Sequence, residues 1–287
     1  MSTGEWRGTL LKLKNRTLTR RITFCGGEAT LRKDLYDLIR YATQEAGLSV
    51  SVVTNGFLLT DKMLREFERA GLDGLVISLN GIKKETHDTS RGIDGSFGKI
   101  MSMLPKLRHY DLKINLEAII MGTNIDEIVY LAKLAKDNGL YGIHYQVLAD
   151  VNAHYVLVNE KMPEMANDWY RENRFWIKDP AKTARVIQEL IDMQKRGYPI
   201  LNPTDQLRKM IRYYTAPQTV REIECLGGIS TLYIDPYGEV RLCYGFESIG
   251  NIKEKNPLKL WRSPKARMIR RRIRRCDKMC RLLNNNY

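Results

Sequence analysis

Five short apolar or β-branched segments punctuate the first half of the chain, at 21–25, 49–53, 74–79, 113–119 and 142–147. Runs of this length, bounded by turn residues, predict buried strands. Between them apolar residues recur at helical spacing over 31–46, 61–70, 96–109 and 124–138. Thr60 and Gly71 bracket the second of these helices, and Thr123 and Gly139 the fourth. A hydroxyl can cap the first turn, and glycine tolerates the left-handed residue that closes the last. Strands alternating with helices at this spacing predict parallel β/α units, in an open sheet or a barrel.

Past residue 150 the rhythm breaks. Residues 151–178 are aromatic-rich without a clear period, and two amphipathic helices are predicted over 181–196 and 204–214. From Cys225 a new unit begins: a hairpin of 231–234 and 239–243 turning through Asp235-Pro236-Tyr237-Gly238, then one basic helix over 256–275. The pattern therefore divides the chain into a β/α core (1–150), a helical connector (151–220) and a cysteine-rich unit (221–287).

Composition narrows the class. The 287 residues are 43% hydrophobic, enough for a substantial core. No stretch approaches the roughly 18 apolar residues of a membrane span, and Met1–Gly8 lacks the apolar run of a signal peptide, so a cytoplasmic location is expected. Four of the five cysteines, Cys225, Cys243, Cys276 and Cys280, lie in the last quarter. In a reducing compartment such a group points to a metal rather than to disulfides, and soft thiolates suit zinc or an iron–sulfur cluster. Cys25 is left over and is expected in the core. The histidines, His87, His109, His144 and His154, are scattered and are expected to be packed or on the surface. Lys and Arg outnumber Asp and Glu by 47 to 33, and residues 261–281 carry ten basic residues against one acid. That run fits an acidic partner or a solvated helix face; with almost no aromatic residue for base stacking, nucleic acid is disfavoured.

Polar residues gather where the predicted strands end: Gly26-Gly27-Glu28, Thr54-Asn55-Gly56, Ser78-Leu79-Asn80-Gly81 and Gln146-Val147-Leu148. Parallel α/β folds place their sites at these carboxyl ends. Alone, Gly-Gly-Glu could be a tight β-to-α turn.

Together these residues resemble the radical S-adenosylmethionine (SAM) enzymes with a C-terminal SPASM or twitch domain. The family's GGEP appears as Gly26 to Ala29, its TNG as Thr54 to Gly56, its ISLDG as Ile77 to Gly81 and its H-x-x-x-R-G as His87 to Gly92. The SPASM opening, C-x(9-15)-G-x(4)-C, is met by Cys225, Gly238 and Cys243, followed by Gly250-Asn251-Ile252 and Trp261-Arg262-Ser263. The resemblance implies a partial parallel (β/α) barrel with its first strand missing, followed by a small α+β cysteine-rich domain. It implies that Gly26, Gly27 and Glu28 hold the amino group of SAM, that Ser78 and Arg91 meet its carboxylate, and that the backbone at Leu148 borders its adenine. Thr54 and Asn55 would face the substrate, a peptide, protein or small molecule, with contacts sought among the aromatic residues between Tyr155 and Trp176. The four C-terminal cysteines would hold an auxiliary [4Fe–4S] cluster.

One departure bears on activity. The family's C-x-x-x-C-x-x-C loop precedes GGEP, and residues 1–24 contain no cysteine. The resemblance then implies either a truncated copy of a complete enzyme or a chain that keeps the scaffold without radical chemistry; no catalytic residue is assigned. Alternatives are a non-catalytic cluster-bearing, peptide-binding module and a zinc-stabilised nucleic-acid-binding protein. A missing first strand would also leave an open sheet edge beside residues 21–25.

Overall fold

The computed structural model describes residues 1–149, 169–280 and 283–284. Its first element is a helix the hydrophobic pattern did not predict, α1 (Thr3–Arg16), which buries only Thr9, Leu10 and Leu13. Ser2 and Glu5 close a reciprocal cap at its start. The β/α core follows as β1 (Arg21–Phe24), α2 (Leu35–Arg40), β2 (Ser49–Thr54), α3 (Asp61–Arg69), β3 (Gly74–Ser78), α4 (Lys84–Arg91), α5 (Ser96–Leu107), β4 (Lys113–Ile120), α6 (Ile128–Asp137) and β5 (Gly142–Val147).

The strands form one parallel sheet in the order β1-β2-β3-β4-β5, each beside its predecessor in sequence. That is the order β/α repeats give when every crossover steps the same way. In β2 and β4 the even-numbered residues are buried and the odd ones only partly so. The sheet therefore has an apolar face under the helices, with Val50, Val52, Leu116 and Ala118 fully buried, and a second face carrying Ser51, Asn115 and Glu117. β1 is an outer strand, as the sequence implied; among the described residues no strand pairs with its free side.

The helix expected over 31–46 is broken: a short 3-10 turn (Ala29–Leu31), then α2, then a π turn (Tyr41–Glu45) in which Ala46 N–H reaches back to Tyr41. Helix α4 was not predicted because Lys84–Arg91 has no apolar periodicity. Tertiary contacts hold it: Glu127 accepts from the N–H groups of Ile82 (2.7 Å) and Lys83 (3.1 Å) and from the Thr86 hydroxyl (2.6 Å), satisfying donors at the helix start.

Beyond β5, the described part of the connector is α7 (Pro180–Lys195) and α8 (Thr204–Thr215), matching expectation. Residues 150–168, which include Tyr155 and His154, lie outside the described residues. The C-terminal unit has its own apolar cluster around Val240, Leu242, Ile252, Leu260 and Ile269. Its sheet gains a strand over expectation: β6 (Tyr233–Ile234), β7 (Glu239–Arg241) and β8 (Gly250–Asn251), all antiparallel. The single basic helix becomes two, α9 (Pro257–Trp261) and α10 (Pro264–Arg274). Pro264 forces Ser263 into an extended conformation, where its hydroxyl caps α10 through Ala266 N–H.

Gly81 must be glycine: a Cβ there would stand 2.8 Å from both Glu127 Oε2 and Thr86 Cγ2. Gly81→Ala is therefore expected to lower stability by about 1–3 kcal/mol, read as a lower urea midpoint at unchanged slope.

Candidate active site and cysteine frame

The carboxyl ends of β1 and β2 converge through Glu28. Its Oε1 accepts from the Thr30 N–H (3.1 Å), the Thr30 hydroxyl (2.6 Å) and the Thr54 hydroxyl (2.7 Å), and its Oε2 accepts from Asn55 N–H (2.8 Å). Oε1 is saturated, while Oε2 keeps an acceptor position for a ligand. Thr54 is buried and, with Asn55, serves Glu28. Gly26 has φ +147°, and a Cβ on Gly26 or Gly27 would meet no protein atom within 4 Å, so the turn opens onto free space.

Across the mouth, Arg91 sits at the end of α4. Its Nε is buried without a hydrogen-bond partner among the described residues. Burial lowers its pKa and the carboxylates of Glu28 and Glu117 act the other way; a guanidinium stays charged regardless. A buried cation with an unused donor suits an anion such as a carboxylate. Ser78 lies level with Glu117 across the strands, and Glu117 level with His144. Glu117 Oε1 accepts from Gln146 Nε2 at 2.6 Å and lies 3.8 Å from His144 Nδ1. This polar row on the inner face was missed from sequence. The signal was the alternation in Lys113–Ile120, which places Asn115 and Glu117 on one side of a strand.

Cys25 corrects an expectation: it is exposed rather than in the core. Its thiol pKa is nevertheless raised, by desolvation and then by Glu117. β1 and β4 would stand about 14 Å apart in a flat sheet, so the influence of Glu117 on Cys25 fits a sheet rolled into an arc.

Leu148 is spoken for on both sides, its N–H donating to the Tyr214 hydroxyl (3.0 Å) and its carbonyl accepting from Tyr213 (2.7 Å). Trp176 packs against both tyrosine rings, so the described end of the aromatic stretch supports β5. His109 is exposed and His87 packed, as expected. His87 Nδ1 accepts from Asn80 N–H (3.1 Å), which leaves Nε2 to donate to Ser96 Oγ (3.2 Å). The Asn80 side chain donates to Ser90 and accepts from Ile119 N–H, tying α4 to β4.

In the C-terminal unit Cys243 is buried, and Cys225, Cys276 and Cys280 are half-buried. Burial pushes the Cys243 thiol up to about 12; Gly245 N–H opposes this, and Cys280, Cys225 and Cys276 add to it. A buried thiol whose ionisation is opposed by burial and by three neighbouring cysteines is suited to a bound cation. Among the described residues no group of three or more His, Cys, Asp or Glu forms a site for a metal ion. Four soft thiolates suit the corner irons of a [4Fe–4S] cluster. Gly238, at φ +96°, would place a Cβ 2.6 Å from Asn251 Oδ1, and Arg270 stacks on Trp261 at 4.2 Å, so the surrounding motif residues build the frame's scaffold.

Two family models match: the radical SAM superfamily over residues 1–135, and SPASM, an iron–sulfur cluster-binding domain, over 225–282. The chain belongs to the radical SAM/SPASM family. Between them these families bind iron–sulfur clusters and SAM, SPASM being the iron–sulfur cluster-binding domain. It is 27% identical over 249 residues to an AdoMet-dependent heme synthase of Methanosarcina barkeri, covering 82% of this chain and 66% of that one. It is 28% identical over 280 residues to a PqqA peptide cyclase of Rhodopseudomonas palustris, covering 93% and 66%. The chain thus spans just under two thirds of each relative. Among solved structures, SAM-bound anSMEcpe superposes with TM-score 0.67 at 16% identity (93% of this chain, 73% of that one), and Streptococcus suis SuiB with 0.69 at 14% (94% and 62%). These structures share the fold.

Burial, then Arg91, lower the pKa of His87 from 6.5 to about 4, against Asp88. The unfolded histidine takes its proton first as pH falls. The neutral imidazole's contribution is therefore full above pH 6.5 and is lost as pH falls to about 4, a total of about 3 kcal/mol. Urea unfolding between these pH values should show that slope, and His87→Gln should flatten it.

Proposed function

We propose that the chain binds SAM across the carboxyl ends of its parallel strands and holds a [4Fe–4S] cluster on Cys225, Cys243, Cys276 and Cys280, as part of a system that modifies a peptide. The observation that carries the SAM half is the buried Nε of Arg91, without a partner among the described residues, on a guanidinium that the Glu28 carboxylate acts on, together with the open Gly26-Gly27 turn. The amino and carboxylate groups of a bound amino acid need one acceptor and one donor site, and Glu28 Oε2 and Arg91, with Ser78, supply them. The adenine end would lie by Leu148, shaped by its backbone fixed on Tyr213 and Tyr214. The peptide assignment leans on relatives named for peptide substrates, the PqqA cyclase and SuiB bound to its precursor SuiA. An acidic substrate would suit the net charge of +14, and cysteines grouped for a metal suit a reducing cytoplasm.

When bound beside SAM, a reduced cluster supplies the electron for cleavage of its carbon–sulfur bond. The family's three-thiolate loop for that cluster is absent from residues 1–24, and the exposed Cys25 offers one sulfur only. These residues on their own are therefore assigned binding without cleavage.

After anaerobic reconstitution about four irons per chain are expected, with SAM bound but no 5′-deoxyadenosine released under dithionite. About eight irons with 5′-deoxyadenosine would contradict the assignment, and zinc in place of iron would favour a purely structural site. Cys243→Ala should lose the iron and lower the stability of the C-terminal unit, because metal binding there is coupled to folding. Iron analysis and thermal unfolding check this; full retention of iron would exclude Cys243 as a ligand.

A further inference from the structure

β5 is the outer strand opposite β1, and an outer strand presents unpaired backbone groups at every second residue. Here they are filled one residue at a time. Ile143 pairs with the backbone of Pro199 and Leu201. Tyr145 is served by the side chain of Asn202, whose Oδ1 accepts from its N–H at 2.7 Å and whose Nδ2 donates to its carbonyl at 2.8 Å. Val147 is served in the same way by Asn284, at 2.8 and 3.1 Å. A carboxamide offers one acceptor and one donor side by side, so each asparagine imitates a residue of a neighbouring strand. The two are joined: Asn202 Nδ2 donates to Gln206 Oε1 (2.8 Å), and Gln206 Nε2 donates to the Leu283 carbonyl (2.5 Å).

The difference lies in where the chain brings each asparagine from. Asn202 stands two residues before α8 in the body of the protein. Asn284 follows Cys280 by four residues, and Leu283 N–H donates to the Cys280 carbonyl at 2.9 Å. Met279 and Leu283, on either side of Cys280, are 5% and 1% exposed and belong to the β/α core. The Cys280 thiol acts instead on Cys243 in the C-terminal unit. Four residues span at most about 14 Å, so Cys280 and Asn284 cannot move independently over any larger distance. Immediately past Val147, the Leu148 backbone is held by Tyr213 and Tyr214. The tail thus completes the last turn of support at the end of β5.

We propose that Asn284 is a positioning residue that transmits occupancy of the cysteine frame to the SAM side of the sheet. A cluster bound through Cys280 holds Leu283 and Asn284 docked, and docked Asn284 fixes Val147 at the end of β5. This rests on the reading above that the cysteines hold a cluster and that SAM lies at the strand ends. Coupling of this kind is reciprocal, so a ligand at the strand ends also favours the docked tail.

The test compares the full chain metal-free and after anaerobic reconstitution, by residue-resolved amide exchange and by titration with S-adenosylhomocysteine. Reconstitution is expected to slow exchange at Val147 at least tenfold and to tighten S-adenosylhomocysteine about tenfold, with Tyr145 unchanged because Asn202 serves it in both states. Asn284→Ala should take up the same iron, leave Val147 fast and abolish the tightening, whereas Asn202→Ala should free Tyr145 in both states. Equal Val147 protection in metal-free and loaded wild type overturns the proposal without reliance on any variant, as does tightening that survives in Asn284→Ala. A wild-type chain that takes up no iron overturns the cluster reading, and this proposal with it.

Discussion

A guanidinium kept from water needs negative charge around it, and the mouth of this sheet is organised around that need at Arg91. Two carboxylates act on it from different strands, Glu28 after β1 and Glu117 within β4. Neither takes up its Nε, which is buried without a partner among the described residues. A cation in this state is costly unless an anion arrives. The same constraint explains why Glu28 is so fully bound: four hydrogen bonds fix its carboxylate at one place across the mouth.

Arg91 can hold its position only if α4 does, and α4 has little intrinsic reason to be a helix. Its residues bury His87 and Asp88 rather than an apolar stripe. Glu127 satisfies its first turn, the His87 ring accepts from Asn80 N–H, and Asp88 accepts from the N–H groups of Gly95 (2.8 Å) and Phe97 (2.8 Å), which joins α4 to α5. Each bond replaces solvent with a fixed partner. Together they convert a polar segment into a rigid arm that ends in the arginine.

The five strands were legible because their apolar runs are short, bounded by turn residues and repeated at β/α spacing. Helix α4 was not legible, because its cause lies 41 residues away in Glu127. The split of the basic helix was written in Ser263-Pro264, whose restriction on the preceding residue is local. The site motifs at the strand ends were legible through their resemblance to a family. Their division of labour was not: Thr54 and Asn55 also donate to Glu28, which no motif announces, while Glu117 and Gln146 pass in sequence as ordinary strand residues. Cys25 was misplaced because burial of a free cysteine is a tendency of the residue type and does not fix any one position. The four C-terminal cysteines could be read as a metal frame from their grouping, and Gly238, Asn251 and Trp261 as its supports only once their contacts were known.

The account stands on Arg91 as the receptor for the ligand's carboxylate, and this can be observed at the atom concerned. Nitrogen-15 NMR of the arginine side chains, recorded while SAM is added to the reconstituted full chain, follows the Arg91 Nε–H directly. The account predicts that this resonance moves downfield and becomes protected from solvent exchange in step with binding, with Arg91→Ala removing both the signal and most of the affinity. SAM binding that leaves the Arg91 Nε–H unshifted and exchanging as before would contradict it.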